Sequence, residues 1–211
     1  DRSSAASDVY KRQGYNNSSG CAASGDGNGH VFVLDAATGE LLDDIPTYTS
    51  GTTAAGSTGS PSGLGQLNAW VDNSRLGVAD RVYGGDMQGN LWRIDFDDNH
   101  LPAGKEAVLI ASLKDGAATP NAQPISVRPE LAEIDVAGTK YPLIMVGTGR
   151  YLGDSDISDL SQQTIYGIKD TLASVTPINV RGGSLKSRTL VETNGSSCLL
   201  YTSPSPRDRQ K

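Results

Sequence analysis

This chain is poor in cysteine, histidine and aromatic residues, and it has no long apolar run. Its 211 residues include two Cys, two His, two Trp and two Phe. Two cysteines cannot build a disulfide framework. His30 and His100 have no H-E-x-x-H spacing around them, so a zinc protease has no support. A G-x-S-x-G elbow and a P-loop are also missing, which removes the commonest hydrolase and nucleotide signatures. No stretch approaches the roughly 18 apolar residues that cross a membrane as a helix. Basic residues are outnumbered, 18 Lys+Arg against 24 Asp+Glu, giving a net charge of −6. Nucleic acid rewards clustered Lys and Arg, so it is excluded as an expected partner. Apolar residues nowhere sustain a 3.6-residue period, which excludes a helical domain. What the chain has in quantity is glycine, 25 residues, and that predicts frequent turns.

Both ends stand apart from the rest. Ser3 to Gln13 reads SSAASDVYKRQ and Cys198 to Asp208 reads CLLYTSPSPRD. Both strings are similar to in-frame translations of the DNA tags used in transposase-based sequencing libraries, the second as the reverse complement. Residues 1–13 and 198–211 are therefore expected to be adapter-derived and to carry no pattern that a fold would use. These ends hold six basic and three acidic residues, so residues 14–197 are more acidic than the whole and keep only Cys21.

Within 14–197 the strand signals are short and recurrent. His30 to Asp35 is rich in β-formers and is bounded by Gly25-Asp26-Gly27-Asn28-Gly29 and Ala36-Ala37-Thr38-Gly39-Glu40, which reads as turn, strand, turn. Arg81 to Asp86, a Met87-Gln88-Gly89 turn and Asn90 to Phe96 predict a hairpin. Leu91, Arg93 and Asp95 alternate there with Trp92, Ile94 and Phe96. Residues 143–152 and 163–170 predict a third such unit, and 108–113 and 125–127 predict further strands. A helical turn is expected at most over 159–163. Gly29 to Asp35 and Gly89 to Asp95 repeat at an offset of 60, each with a turn glycine, an aromatic three on and an aspartate six on. Antiparallel units at this spacing predict an all-β, partial β-propeller, with a β-sandwich as the alternative. The Gly/Ser/Thr/Ala stretch at about 49–65 predicts a flexible surface loop. Trp70 and Trp92 are expected in blade cores.

Asp72 to Asp80 has the outline of a short calcium loop. Calcium takes six to eight oxygens, and alternate residues of a loop can face one ion. The candidate metal ligands are Asp72, Ser74, Val78 through its carbonyl, and Asp80. Gly77 permits the sharp turn, while Leu76 stands where an acidic or amide residue would complete the set. The alternative is a polar turn capped by Asp72 or Asp80. Asp154, Asp156 and Asp159 are expected to start a helical turn, and Asp95, Asp97 and Asp98 to sit at a solvated strand end.

Four ordered motifs carry a family resemblance: Arg81-Val82-Tyr83-Gly84-Gly85-Asp86-Met87-Gln88-Gly89-Asn90-Leu91-Trp92-Arg93-Ile94-Asp95, Gln123-Pro124-Ile125 with Arg128-Pro129-Glu130, Val146-Gly147-Thr148-Gly149-Arg150-Tyr151-Leu152, and Gln163-Thr164-Ile165-Tyr166-Gly167-Ile168. Together they resemble the C-terminal propeller of the PilY/PilC type IV pilus biogenesis and tip-adhesin family. The resemblance implies a quinoprotein-like β-propeller, here an incomplete ring, at the cell surface, pilus tip or outer membrane of a Gram-negative bacterium. It implies calcium-dependent control of pilus extension and retraction, twitching motility and adhesion. The implied partners are the pilus assembly machinery and minor pilins or a host surface. It also implies Ca2+ at Asp72, Ser74, Val78 and Asp80, weakened by Leu76, and no catalytic or organic-cofactor site. Two other readings remain. Asp35 to Gly39 has the blade grammar of quinoprotein-type dehydrogenases, and a scaffold propeller without metal needs neither ion nor catalysis.

Overall fold

The computed structural model describes residues 8–12, 25–50, 53–71, 79–96, 106–173, 178–179, 185, 190–192 and 199–201. Among them the strands run β1 (Asp8–Arg12), β2 (His30–Asp35), β3 (Leu41–Pro46), β4 (Tyr48–Ser50), β5 (Thr53–Ala54), β6 (Leu64–Trp70), β7 (Arg81–Asp86), β8 (Asn90–Asp95), β9 (Ala107–Ser112), β10 (Glu130–Val136), β11 (Thr139–Gly147), β12 (Ile165–Lys169), β13 (Ile178–Asn179), β14 (Leu190–Glu192) and β15 (Leu199–Tyr201). They form three main sheets in chain order: β1-β2-β3, β13-β9-β8-β7-β6 and β10-β11-β12. Pairing is antiparallel throughout, apart from β13 on β9. The three sheets do not close a ring.

The alternation in β7 and β8 explains the stacking. A strand sends successive side chains to opposite faces, and every residue of these two strands is buried. Val82, Trp92 and Ile94 pack on one side with Val31 and Ile45 of the first sheet. Tyr83 and Leu91 pack on the other side with Ile144, Val146, Tyr166 and Ile168 of the third. The middle sheet is therefore covered on both faces, and Trp92 lies in the core as its sequence context predicts.

The turn between β7 and β8 is fixed by one carboxylate. Oδ1 of Asp86 accepts the N–H groups of Gln88 and Asn90, each at 2.9 Å. Oδ2 accepts the Asn90 amide at 2.9 Å and the Trp92 indole N–H at 3.0 Å. Gly89 turns the chain at φ +79°, and a Cβ there would lie 2.5 Å from the Leu113 carbonyl oxygen. The repeat is structural as well as sequential. Asp26 accepts the Asn28 N–H at 2.9 Å just ahead of β2, as Asp86 accepts that of Gln88 ahead of β8. The Asp35-Ala36-Ala37-Thr38-Gly39 grammar is a turn of similar logic, with Oδ1 of Asp35 accepting the N–H groups of Ala37 and Thr38 and the Thr38 hydroxyl.

Four expectations are corrected. Residues 49–65 do not form one continuous surface loop. They contribute to the β4–β5 hairpin, and Ser62, Gly63 and Leu64 are buried. Small residues let the backbones meet there, and the Ser62 N–H donates to the Gly27 carbonyl at 2.8 Å. Residues 125–127 are not a strand. Ile125 makes a single bridge to Gly149, because its side chain plugs the space above Gly85. The helical turn is a 3-10 turn at Asp154–Ser158, not at 159–163. The first end segment, expected to carry no pattern that a fold would use, supplies β1, which pairs with β2 from Asp8↔Asp35 to Arg12↔Val31. The second supplies β15, paired with β14. Ladder hydrogen bonds are made by the main chain, so any non-proline sequence can form them.

A Cβ at Gly85 would sit 2.3 Å from Ile125 side-chain carbons. Gly85→Ala should destabilise the chain by about 1–3 kcal/mol in urea unfolding, and Gly85→Ala with Ile125→Ala should recover part of that loss. Burial pushes Asp86 up from 3.8 to about 6 despite its hydrogen bonds. Its protonated form is thus favoured in the fold. Its contribution to stability is full below about 4 and is lost as pH rises through about 6. The stability of the unmodified chain minus that of Asp86→Asn should fall across this window and then level off.

Candidate functional site

Of the predicted calcium ligands, Asp72, Ser74 and Val78 lie outside the described residues, as do Leu76 and the strand-end residues Asp97 and Asp98. Asp80 is described, and it marks the base of the loop. Its N–H donates to the Trp70 carbonyl at 3.0 Å, and its own carbonyl accepts the Phe96 N–H at 3.0 Å. Trp70 pairs with Arg81 across β6 and β7, so the described residues on either side of 72–78 lie next to each other on the sheet. The Arg81 guanidinium lies 5.6 Å from the Trp70 ring centroid, in cation–π range. The proposed ligands are all oxygen donors with two carboxylates among them, which suits a hard cation.

Directly behind this base lies a buried polar chain. Arg81 Nε donates to the Tyr83 hydroxyl at 3.2 Å, and that hydroxyl donates to Oδ2 of Asp170 at 2.9 Å. Arg93 Nη1 reaches both oxygens of Asp170, at 2.9 and 3.0 Å, while its Nε donates to Asp95 at 2.8 Å. Arg81, Arg93, Asp95 and Asp170 are all at most 1% exposed. Asp95 is thus not at a solvated strand end. The period-2 pattern points it, with Arg93, at the third sheet. Burial alone would lower Arg93, but the charges of Asp170 and Asp95 hold it above its ordinary value. Burial, then the Asp170 carboxylate, pushes Tyr83 up, so it stays a neutral donor. Asp170 follows β12, and its Oδ1 also accepts the Leu172 N–H at 2.9 Å. The chain of contacts therefore runs from the loop base, through the middle sheet, to the end of the third.

Sequence reasoning missed the Asp170 partner, 77 residues from Arg93. One signal was present: a strand reading Leu91-Trp92-Arg93-Ile94-Asp95 carries charges that cannot be buried without partners. A second junction ties the remaining motifs together. The Tyr166 hydroxyl donates to Oε1 of Gln123, and Nε2 of Gln123 donates to the Gln162 carbonyl. The Gly149 N–H donates to the Pro124 carbonyl at 2.7 Å.

The acidic cluster at 154–159 serves its own turn, as its sequence predicts. Asp156 accepts the Leu152 N–H at 2.9 Å and Arg150 Nε at 2.8 Å. These contacts, the backbone bond first, hold its carboxyl below the ordinary range. Among the described residues no three His, Cys, Asp or Glu converge as a metal cluster, and no helix is long and apolar enough to cross a membrane.

A family model described as the PilY1 beta-propeller domain matches residues 7–203, a range that runs into both end segments. The type IV pilus biogenesis factor PilY1 of Pseudomonas aeruginosa strain PAO1 is 33% identical over 192 residues, covering 78% of this chain and 16% of the relative. A PilY1 homolog of Xylella fastidiosa is 40% identical over 143 residues, covering 68% of this chain and 10% of the relative. The crystal structure of the Pseudomonas aeruginosa PilY1 C-terminal domain matches with a TM-score of 0.56 at 27% identity, covering 78% of this chain and 36% of that one. The chain thus spans a small part of the curated relatives it matches. Their names describe pilus biogenesis factors, not enzymes.

Removing Asp170 should leave Arg93 as an under-compensated buried charge. Asp170→Ala should cost about 3–5 kcal/mol in urea unfolding. Asp170→Asn should cost less, because the carboxamide oxygen can still accept the Tyr83 or Arg93 hydrogen bond.

Proposed function

The chain belongs to the PilY1 β-propeller family, and we propose that it is a non-enzymatic propeller module of a type IV pilus biogenesis factor whose loop at 72–80 takes a calcium ion. The observation that carries this reading is the base of the loop. Asp80 is anchored to Trp70 and Phe96, and the next residue, Arg81, begins the buried chain to Asp170. Bound calcium supplies a divalent charge on which oxygen ligands converge. Asp72 and Asp80 would hold the two arms of the loop, with the Ser74 hydroxyl and the Val78 carbonyl between them. An ion held by Asp80 would restrain that residue, and through Arg81 it would restrain the contact between the middle and third sheets.

In this reading the ion selects one shape of the module, a local charge event with a wider readout. The partners proposed for that shape are the pilus assembly machinery and minor pilins or a host surface. The proposed location is the cell surface or pilus tip of a Gram-negative bacterium, and the outcome is control of pilus extension, retraction, twitching and adhesion.

Calorimetric titration of calcium into the full chain tests the ion site. Saturable heat is expected, with at least tenfold weaker binding in Asp80→Ala. Leu76→Asp should tighten binding by about tenfold or more, since ligand charge tunes calcium affinity. A folded chain that gives no calcium heat contradicts the proposal.

A further inference from the structure

We infer that the loop between β11 and β12 docks a partner protein that presents an apolar surface framed by lysine or arginine. Between 151 and 160 this loop exposes four large apolar side chains: Tyr151 at 76%, Leu152 at 51%, Ile157 at 64% and Leu160 at 95%. Single apolar residues scattered on a surface need no explanation, whereas a group of them marks an interaction site. Hydrogen bonds draw this group together. The Asp156 carboxylate accepts the N–H groups of Leu152 and Gly153 at 2.9 and 3.2 Å and Arg150 Nε at 2.8 Å. The 3-10 turn at Asp154–Ser158 is thereby folded back onto residues 150–153.

The loop is also fixed at both ends. The Thr148 N–H donates to the Thr164 carbonyl at 3.0 Å, and the Thr164 N–H donates back to the Thr148 hydroxyl at 2.8 Å. The Ser126 hydroxyl donates to the Gly149 carbonyl at 2.8 Å, and Gln123 holds the Gln162 carbonyl. Polar groups thus shape the loop while its apolar side chains face out. A surface ordered in advance loses little entropy on binding, and tyrosine is favoured at the centres of such contacts. Charge selects the partner. From Tyr151 to Ile168 the sequence holds Asp154, Asp156 and Asp159 and no lysine or arginine. Arg150 is taken by Asp156, while Asp154 and Asp159 are exposed. This acidic rim opposes an anionic lipid surface and a second copy of the same face, and it suits a basic partner. The loop stands at the opposite end of β12 from Asp170, so this surface is separate from the proposed calcium loop.

The test titrates the nitrogen-15-labelled full chain with a short amphipathic leucine–lysine peptide, beside an oligolysine of equal charge. The amphipathic peptide should shift the amide signals of 151–160, and oligolysine should bind at least about tenfold more weakly. Tyr151→Ser with Leu160→Ser should weaken the amphipathic peptide by about tenfold or more, with Tm within about 1 °C because both side chains are exposed. Asp154→Asn with Asp159→Asn should weaken it and flatten its salt dependence. Equal binding of the two peptides overturns the inference, as do shifts that fall outside the loop. Binding of the loop to phosphatidylcholine–phosphatidylglycerol vesicles in place of the peptide assigns the face to a membrane and overturns it. A dimer that the Tyr151→Ser, Leu160→Ser chain no longer forms assigns the face to a second copy and also overturns it. If that variant does not fold, the signal mapping on the unmodified chain decides alone.

Discussion

The contact on which the rest of the architecture depends is the ion pair between Arg93 and Asp170. It is a consequence of stacking. Once β8 is covered on both faces, its odd-numbered residues meet the third sheet, and one of them is an arginine. A buried guanidinium is tolerable only when its donors are met by acceptors. Asp95 meets Nε on the same strand, and Asp170 meets Nη1 from the end of β12. An apolar contact would allow the sheets to slide. An ion pair in which one guanidinium nitrogen meets both carboxylate oxygens, with tyrosine as a third partner, restrains both distance and orientation.

The carboxylate-centred turns form the second layer of order. Asp26, Asp35, Asp86 and Asp115 each accept local N–H groups that the bend leaves without ladder partners. This explains how a chain lean in apolar residues still reverses direction so often. Aspartate also explains much of its acidity. Many of these charges are turn-forming groups rather than a ligand-binding surface. The same chemistry at Asp156 accounts for the acidic cluster at 154–159.

The strands were the most readable part of the sequence. The 81–96 hairpin, the offset-60 repeat and the third unit at 143–170 all appear as β-structure, because period-2 patterning and turn glycines are local signals. Trp92 was readable as core for the same reason. Partners far apart in the chain were not readable. Arg93 and Asp170 become neighbours only through sheet stacking, and Gln123 and Tyr166 meet across a gap that no periodicity encodes. The Gly/Ser stretch at 49–65 misled because composition reports low core-forming capacity, whereas small residues also permit close backbone approach. At the candidate site, spacing proposed four ligands, and Asp80 alone among them is described. Asp80 stands beside Arg81 in the sequence, but the link from Arg81 through Tyr83 to Asp170 came only from the fold.

Hydrogen exchange of the full chain, with calcium and with a chelator, most directly tests the coupling of loop to junction. The account predicts that calcium slows exchange at Asp80 and Arg81 and also at Leu172, whose N–H is held by Asp170. Slowing confined to the loop, with Leu172 unchanged, would contradict it.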